Sequence, residues 1–304
     1  SLNTQKTEVI TVDELKNNAC CNLSESFESN ATVDASFSDA VTGARQIQML
    51  GLSGKYAQQL TDLLPTIRGL GIAYGLNFIP GPWIESINLN KGAGSVSNGY
   101  ESITGQIDVE LKKPETSEKL FINLYGNSEA RLEANIHSAQ KVNSKWANMF
   151  LLHGSMMQNE LDHNHDHFLD MPVSKTVALM DRWKYESGKR VESMFGFKYL
   201  RDERTGGSID FNPETDKLTT NAYGLGVTTN RAELFAKTSY GFIGKEYQSL
   251  GLQLSGVYHD QEAYYGLRIY EGTEQSFYAN LIFLSIIGNT QHKYKAGISY
   301  LYDQ

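Results

Sequence analysis

From residue 115 to its end the chain alternates apolar and polar side chains with a period of two. On one stretch Leu120, Ile122 and Leu124 share a face; on another Val191, Phe195, Phe197 and Tyr199 oppose Glu192 and Lys198. Leu250, Leu252, Leu254 and Tyr258 oppose Ser249, Gln253 and Ser255, and Tyr294, Ala296, Ile298, Tyr300 and Tyr302 oppose Lys293, Lys295 and Ser299. Side chains of a strand point alternately to its two faces, so these are half-apolar strands. Runs of about eight to twelve residues exceed the roughly five or six usual in a sandwich. Composition agrees: 17 Tyr, 13 Phe and 27 Gly stand against 6 Pro, a balance that favours extended antiparallel strands. The most apolar run, 279–287, includes Asn280 and Ser285 and falls well short of the roughly 18 residues of a membrane helix. That excludes helical membrane proteins and leaves membrane barrels open, because barrel strands carry no continuous apolar run. The net charge of −8, from 27 basic and 35 acidic residues, argues against nucleic acid as a partner.

The connections add direction. Those at 142–145, 187–189 and 288–291 are short, whereas 158–175, 204–217 and 260–273 are long and polar. Short turns on one rim and long loops on the other is the asymmetry of an outer-membrane barrel. The alternation predicts nine or ten strands. The count turns on 229–232, where the apolar phase slips from Leu225 and Val227 to Leu234 and Ala236, as at a bulge or turn.

Residues 1–114 read differently, and the change comes at Lys112-Lys113-Pro114. Thr11 and Glu14 form a capping box, followed by Leu15, Ala19, Leu23 and Phe27 at helical spacing. Strand-like runs at 45–50, 83–90 and 105–112 then alternate with Gly-rich loops, giving a small α+β domain. Cys20 and Cys21 are adjacent; neighbours do not form an ordinary loop-closing disulfide, and small buried residues are the plainer reading. Ser1 opens a polar segment with no leader pattern, so a leader has been removed or the chain is a piece of a longer one.

Segment 79–114 carries a resemblance. Ile84 to Leu89 form a strand that leads to Lys91-Gly-Ala-Gly-Ser95; Gly99-Tyr100 follows, then a strand from Gly105 to Leu111 that closes on Lys112-Lys113-Pro114. This resembles the end of the plug domain of TonB-dependent outer-membrane receptors, and the runs 22–28 and 39–52 look like one branch of that family. The resemblance implies an α+β plug domain at 1–114, followed at 115–304 by antiparallel transmembrane β-barrel strands. These would form a partial barrel, with nine or ten strands of about 22. It implies a Gram-negative outer-membrane protein that binds a scarce solute, such as a siderophore, cobalamin, metal chelate or oligosaccharide. Import would draw on TonB with ExbB and ExbD, through a segment missing from this chain. Outer-membrane lipid and a surface lipoprotein are further implied partners.

Two sites are candidates. The loop 69–82 with Trp83 corresponds to a plug loop facing the external vestibule in the resembling family. Its Tyr74, Asn77, Phe78 and Trp83 suit solute capture by stacking and hydrogen bonds; the alternative is that the aromatics pack the plug. In the loop 158–175, Asp162, Asn164, Asp166 and Asp170 fall at offsets one, three, five and nine, with the carbonyl of Phe168 at seven. Those are Ca²⁺-loop positions. His167 stands where a turn Gly is expected and Val173 where a bidentate Glu is expected, while His163, His165 and His167 could serve a softer metal. A solvated acidic loop is the plain alternative. Among catalytic motifs there is no nucleophile elbow, phosphate loop or zinc-protease helix, and His137, His153, His259 and His292 lie singly on strands. The reading is therefore a receptor and not an enzyme. Its rivals are a secreted calcium-binding, carbohydrate-binding β-rich protein and a calcium-dependent hydrolase.

Overall fold

The structure, a computed structural model, describes residues 7–11, 23, 27, 33–39, 41–49, 51–188 and 190–304. The expected helix after Thr11 and the Cys20-Cys21 pair lie outside the described residues, apart from Leu23 and Phe27, which are both buried. Among the described residues every helical turn is a short 3-10 turn, as at Gly69–Ile72, Gly75–Asn77 and Gly81–Trp83.

Among its described residues the amino-terminal unit holds seven strands: β1 (Thr7–Ile10), β2 (Val33–Asp39), β3 (Ala44–Met49), β4 (Ala57–Thr61), β5 (Leu64–Ile67), β6 (Ile84–Lys91) and β7 (Gly105–Leu111). Five form one mixed sheet in the order β1-β6-β7-β4-β5, and β2 pairs with β3 separately. Pairing of β4 with β7 is parallel and that of β6 with β7 antiparallel. The strands expected from the Gly-punctuated runs are β3, β6 and β7.

The remaining strands form one nine-stranded sheet in sequence order. They are β8 (Leu120–Gly126), β9 (Arg131–Lys141), β10 (Trp146–Met157), β11 (Val173–Ser187), β12 (Val191–Gly207), β13 (Gly224–Gly241), β14 (Ser249–Tyr265), β15 (Arg268–Ile287) and β16 (Asn289–Asp303). Every neighbouring pair is antiparallel.

Two details differ from the sequence expectation. β13 is continuous through 229–232, and its registers with β12 and β14 carry no shift. The apolar phase changes because the surroundings change along one straight strand. Leu225 and Val227 point inward and are buried, whereas Leu234 points outward and is 63% exposed. Between them the inward positions are Thr229, Arg231 and Glu233, all buried. The expected long loop at 260–273 is also absent. β14 runs to Tyr265 and β15 starts at Arg268, which leaves only the two-residue turn Gly266-Leu267. Polar residues there, such as Glu262 and Glu271, belong to paired strands.

The wall is inverted relative to a water-soluble sheet. Outward-facing Leu120, Ile122, Leu124, Leu234, Ile298 and Tyr300 are exposed. Inward-facing Glu133, Asn135, Arg182, Lys198, Arg231, Gln253 and Asn280 are buried. Aromatic side chains cluster at the rim of short turns: Trp146 meets Trp183, Tyr185 and Phe195, and Phe242 meets Tyr240 and Phe283. The apolar core lies between the two units, where Met149, Leu151, Ala178, Met180 and Leu200 of the wall join Phe78, Trp83, Ile87, Ile107 and Val109.

Gly105 shows how tightly the amino-terminal sheet is built. A Cβ there would meet the Asn90 carbonyl oxygen at 2.5 Å and crowd the Met49 sulfur. Gly105→Ala is expected to destabilise this unit by about 1–3 kcal/mol, the usual cost of overpacking, read as a lower thermal midpoint of the purified protein.

Candidate functional site

Where the two units meet, a set of polar contacts joins the apolar cluster. Arg182 of β11, fully buried, donates to Asp62 Oδ2 at 3.0 Å and to the Lys112 carbonyl at 2.9 Å. Lys237 of β13 donates to the Asp62 carbonyl at 2.6 Å. Arg231, also of β13, reaches the Thr66 carbonyl and is braced by Glu233 at 2.7 Å, which Lys198 approaches at 3.3 Å. Glu274 of β15 accepts the Leu70 amide at 2.7 Å, Asn280 donates to the Ser97 carbonyl at 2.7 Å, and Asp303 pairs with Arg68 at 2.8 Å. The close approach at Leu70 requires Gly69, which has φ +48° and whose Cβ would collide with the Glu274 carboxylate.

These seam residues were not singled out from the sequence. Their signal was present: Arg182, Arg231, Lys237 and Glu274 occupy inward positions of long strands, where a charge persists only with a partner. Most of them address backbone groups, so their partners carry no sequence signature.

Of the four expected solute contacts, three sit in the packed interior. Phe78 and Trp83 are fully buried; Phe78 lies against His259 with ring centroids 5.9 Å apart, and the Arg231 guanidinium is 5.6 Å from its ring. Tyr74 is buried, with the Arg204 guanidinium 5.4 Å from its ring. The 3-10 turns fold the aromatics inward, and burial of their apolar area outweighs exposure at a loop apex. Asn77 differs. It lines a cavity of about 80 Å³ with Arg45, Arg131, His153, Met171 and Arg204, and its Nδ2 has no hydrogen-bond partner among the described residues.

Loop 158–172 contributes Met171 and Pro172 to that cavity. Asp162 accepts the amides of Asp166 and His167, both at 3.1 Å; Asn164 Oδ1 accepts the Asp166 amide, and Asp166 accepts the Phe168 amide at 2.9 Å. His167 takes φ +65°, the conformation a turn Gly would supply there. Asp170 is drawn away to the His163 amide and ring, each at 2.8 Å, which lowers its pKa. The loop pairs with its neighbour through Phe168 and Ser208. Among the described residues no three His, Cys, Asp or Glu side chains converge as a metal cage.

Residues 2–106 match the family model of the TonB-dependent Receptor Plug Domain. The amino-terminal unit thus matches a receptor plug domain. Solved receptors share its fold together with the wall. FpvA of P. aeruginosa bound to heterologous pyoverdines matches with TM-score 0.77 at 14% identity, over 99% of this chain and 42% of that one. The siderophore receptor PiuA from Acinetobacter baumannii matches with TM-score 0.73 at 11% identity, over 98% and 45%. The alcaligin outer membrane receptor FauA from Bordetella pertussis matches with TM-score 0.73 at 9% identity, over 99% and 47%. The chain thus spans less than half the length of these receptors. A search of curated proteins gave no match.

Inside the plug, Asp108 of β7 stands next to the seam. Burial pushes its carboxyl up to about 6, against the Leu63 amide, which donates to it at 2.7 Å. Asp62 and Glu110 add to the rise and Lys237 opposes it. A folded pKa above the unfolded one means the proton is bound more tightly in the folded state. That contribution is complete below the unfolded value near 4 and is lost as pH rises through about 6. Asp108→Asn keeps an acceptor for Leu63 and removes the buried charge. It is expected to stabilise the plug by roughly 2–3 kcal/mol at neutral pH and by little below pH of about 4, measured as thermal midpoints across pH.

Proposed function

We propose that this chain is the plug and first nine barrel strands of an outer-membrane receptor that imports a siderophore-class solute. One observation carries the reading: a long antiparallel wall is apolar where exposed and polar where buried, and its polar face holds a plug. In water the outer face would be an aggregation surface; in a membrane it meets hydrocarbon. The same face counts against the secreted carbohydrate-binding reading, because water would cover neither its Leu rows nor its aromatic clusters.

A folded plug closes the lumen, so import requires work to displace it. In this account TonB, with ExbB and ExbD, supplies that work from the inner membrane. Polar contacts suit such a part. When the plug shifts, each carbonyl and carboxylate of the seam exchanges a wall donor for water, so the net cost per contact is modest. Asn77 and the Arg-lined cavity beside it form the plug's contribution to solute capture. Calcium in loop 158–175 would be held by Asp162, Asn164, Asp166 and the Phe168 carbonyl, with Asp170 released from His163. Millimolar CaCl₂ is then expected to slow proteolysis of that loop, and Asp162→Asn to abolish the effect; equal cleavage in CaCl₂ and EDTA would remove calcium from the account.

The import reading is tested with radio-iron as ferric pyoverdine, ferric alcaligin and a ferric catecholate, in cells with and without the gene containing this chain. Uptake of at least one complex should depend on the gene and stop when a protonophore collapses the inner-membrane gradient. Gene-dependent uptake that continues without the gradient would contradict it. The membrane assignment predicts that Leu234→Arg costs about 2–4 kcal/mol in lipid, whereas Thr228→Arg, nearer the loop rim of the same face, costs about 0–1 kcal/mol, by denaturant titration in liposomes.

A further inference from the structure

Strands β4 and β5 join through a two-residue turn, Asp62-Leu63, with Thr61 opposite Leu64. Both turn residues have positive φ, 51° and 64°. Two-residue hairpins with that φ pattern favour Asn-Gly or Asp-Gly, because the second position suits a residue without a Cβ. Asp tolerates the left-handed region; Leu rarely enters it. Packing does not explain the choice, since Leu63 is 38% exposed. The turn is therefore held in place from outside.

The restraints come from three elements. From the wall, Arg182 grips the Asp62 carboxylate at 3.0 Å and Lys237 the Asp62 carbonyl at 2.6 Å. From the plug sheet, Asp108 accepts the Leu63 amide at 2.7 Å, and Asp62 Oδ1 accepts the Leu111 amide at 3.3 Å. Neither turn residue has a ladder partner in β4 or β5. A cavity of about 400 Å³, lined by Lys113, Lys184, Met194, Lys237 and Gln253, adjoins the wall side of this contact. It gives Lys237 a route to water.

We propose that Asp62-Leu63 is a strained latch, clamped to the wall by Arg182 and Lys237, and that it is the first part of the plug to detach when the plug is displaced. The latch rests on the receptor reading above. A backbone held against its preference stores free energy that release returns, while the ladder-paired strands β6 and β7 gain nothing by opening. Arg182 and Lys237 act as positioning residues for the plug and touch no solute.

Hydrogen exchange followed by mass spectrometry, on the purified receptor containing this chain, tests the latch without solute or TonB. Lys237→Gln is expected to speed exchange of peptides covering 61–65 about ten-fold while those covering 84–91 stay unchanged. Lys237→Arg should restore the native rate. Leu63→Gly keeps every backbone contact and removes the strain, so exchange at 61–65 should slow several-fold; this variant also covers the case in which Lys237→Gln does not fold. Uniform acceleration across the plug in Lys237→Gln, or exchange in Leu63→Gly no slower than native, would overturn the proposal. Failure of gradient-driven uptake would instead sink the receptor reading and leave these exchange rates as they are.

Discussion

A sheet with a polar buried face must find a polar partner for it, and most of this molecule follows from that requirement. Arg182, Lys198, Arg231, Glu233 and Glu274 lie inside a wall, largely out of water. A charge so placed is strongly unfavourable unless paired or hydrogen-bonded. The plug satisfies Arg182, Arg231 and Glu274 with backbone carbonyls, the Leu70 amide and the Asp62 carboxylate, while Lys198 and Glu233 pair within the wall. The seam is specific enough to seat one unit against the polar face of the other.

Turns of the plug and its edge strand β5 meet the wall in this seam. Backbone groups inside a ladder are already paired, so turns and a sheet edge are what present free carbonyls and amides. Gly69, at φ +48°, brings the backbone under the Glu274 carboxylate. Asp62 and Leu63 achieve a similar exposure with non-glycine residues at positive φ. The apolar contacts, by contrast, form one cluster running from Ile87, Ile107 and Val109 through to Met149 and Leu200. They supply the bulk of the attraction, and the polar groups set where it acts.

Much of the architecture was legible in the sequence because a period of two depends only on which side of a strand a residue occupies. The outward rows at Leu120 and Leu250 follow from it directly, while β3, β6 and β7 were legible as strand-like runs between Gly-rich loops. The period did not reveal where the environment on each side changes. Along β13 the same outward face carries Thr228 and Asn230 near the loop rim and Leu234 further on, and the inward face trades Val227 for Arg231. That reads as a slip in sequence and is a straight strand in space. Likewise, polar residues at 260–273 look like a loop because strand residues beyond an apolar belt need not alternate. Phe78 and Trp83 look like ligand groups until the 3-10 turns fold them into the core. The Asp62-Leu63 turn carried no usable signal, since Asp-Leu is not a turn dipeptide and its restraints from the wall come from residues more than a hundred positions away.

The central claim is that one face of the wall meets hydrocarbon and the other meets the plug. Site-directed spin labels walked along β13 in liposomes, with Cys20 and Cys21 replaced by Ser, measure this directly. Labels at Leu234 and Ala236 should collide with dissolved oxygen and not with a water-soluble nickel chelate. Labels at Thr228 and Asn230 should show the reverse, and labels at Thr229 and Phe235 should be shielded from both. Nickel access at Leu234 and Ala236 equal to that at Thr228, or oxygen access without a period of two, would contradict the account.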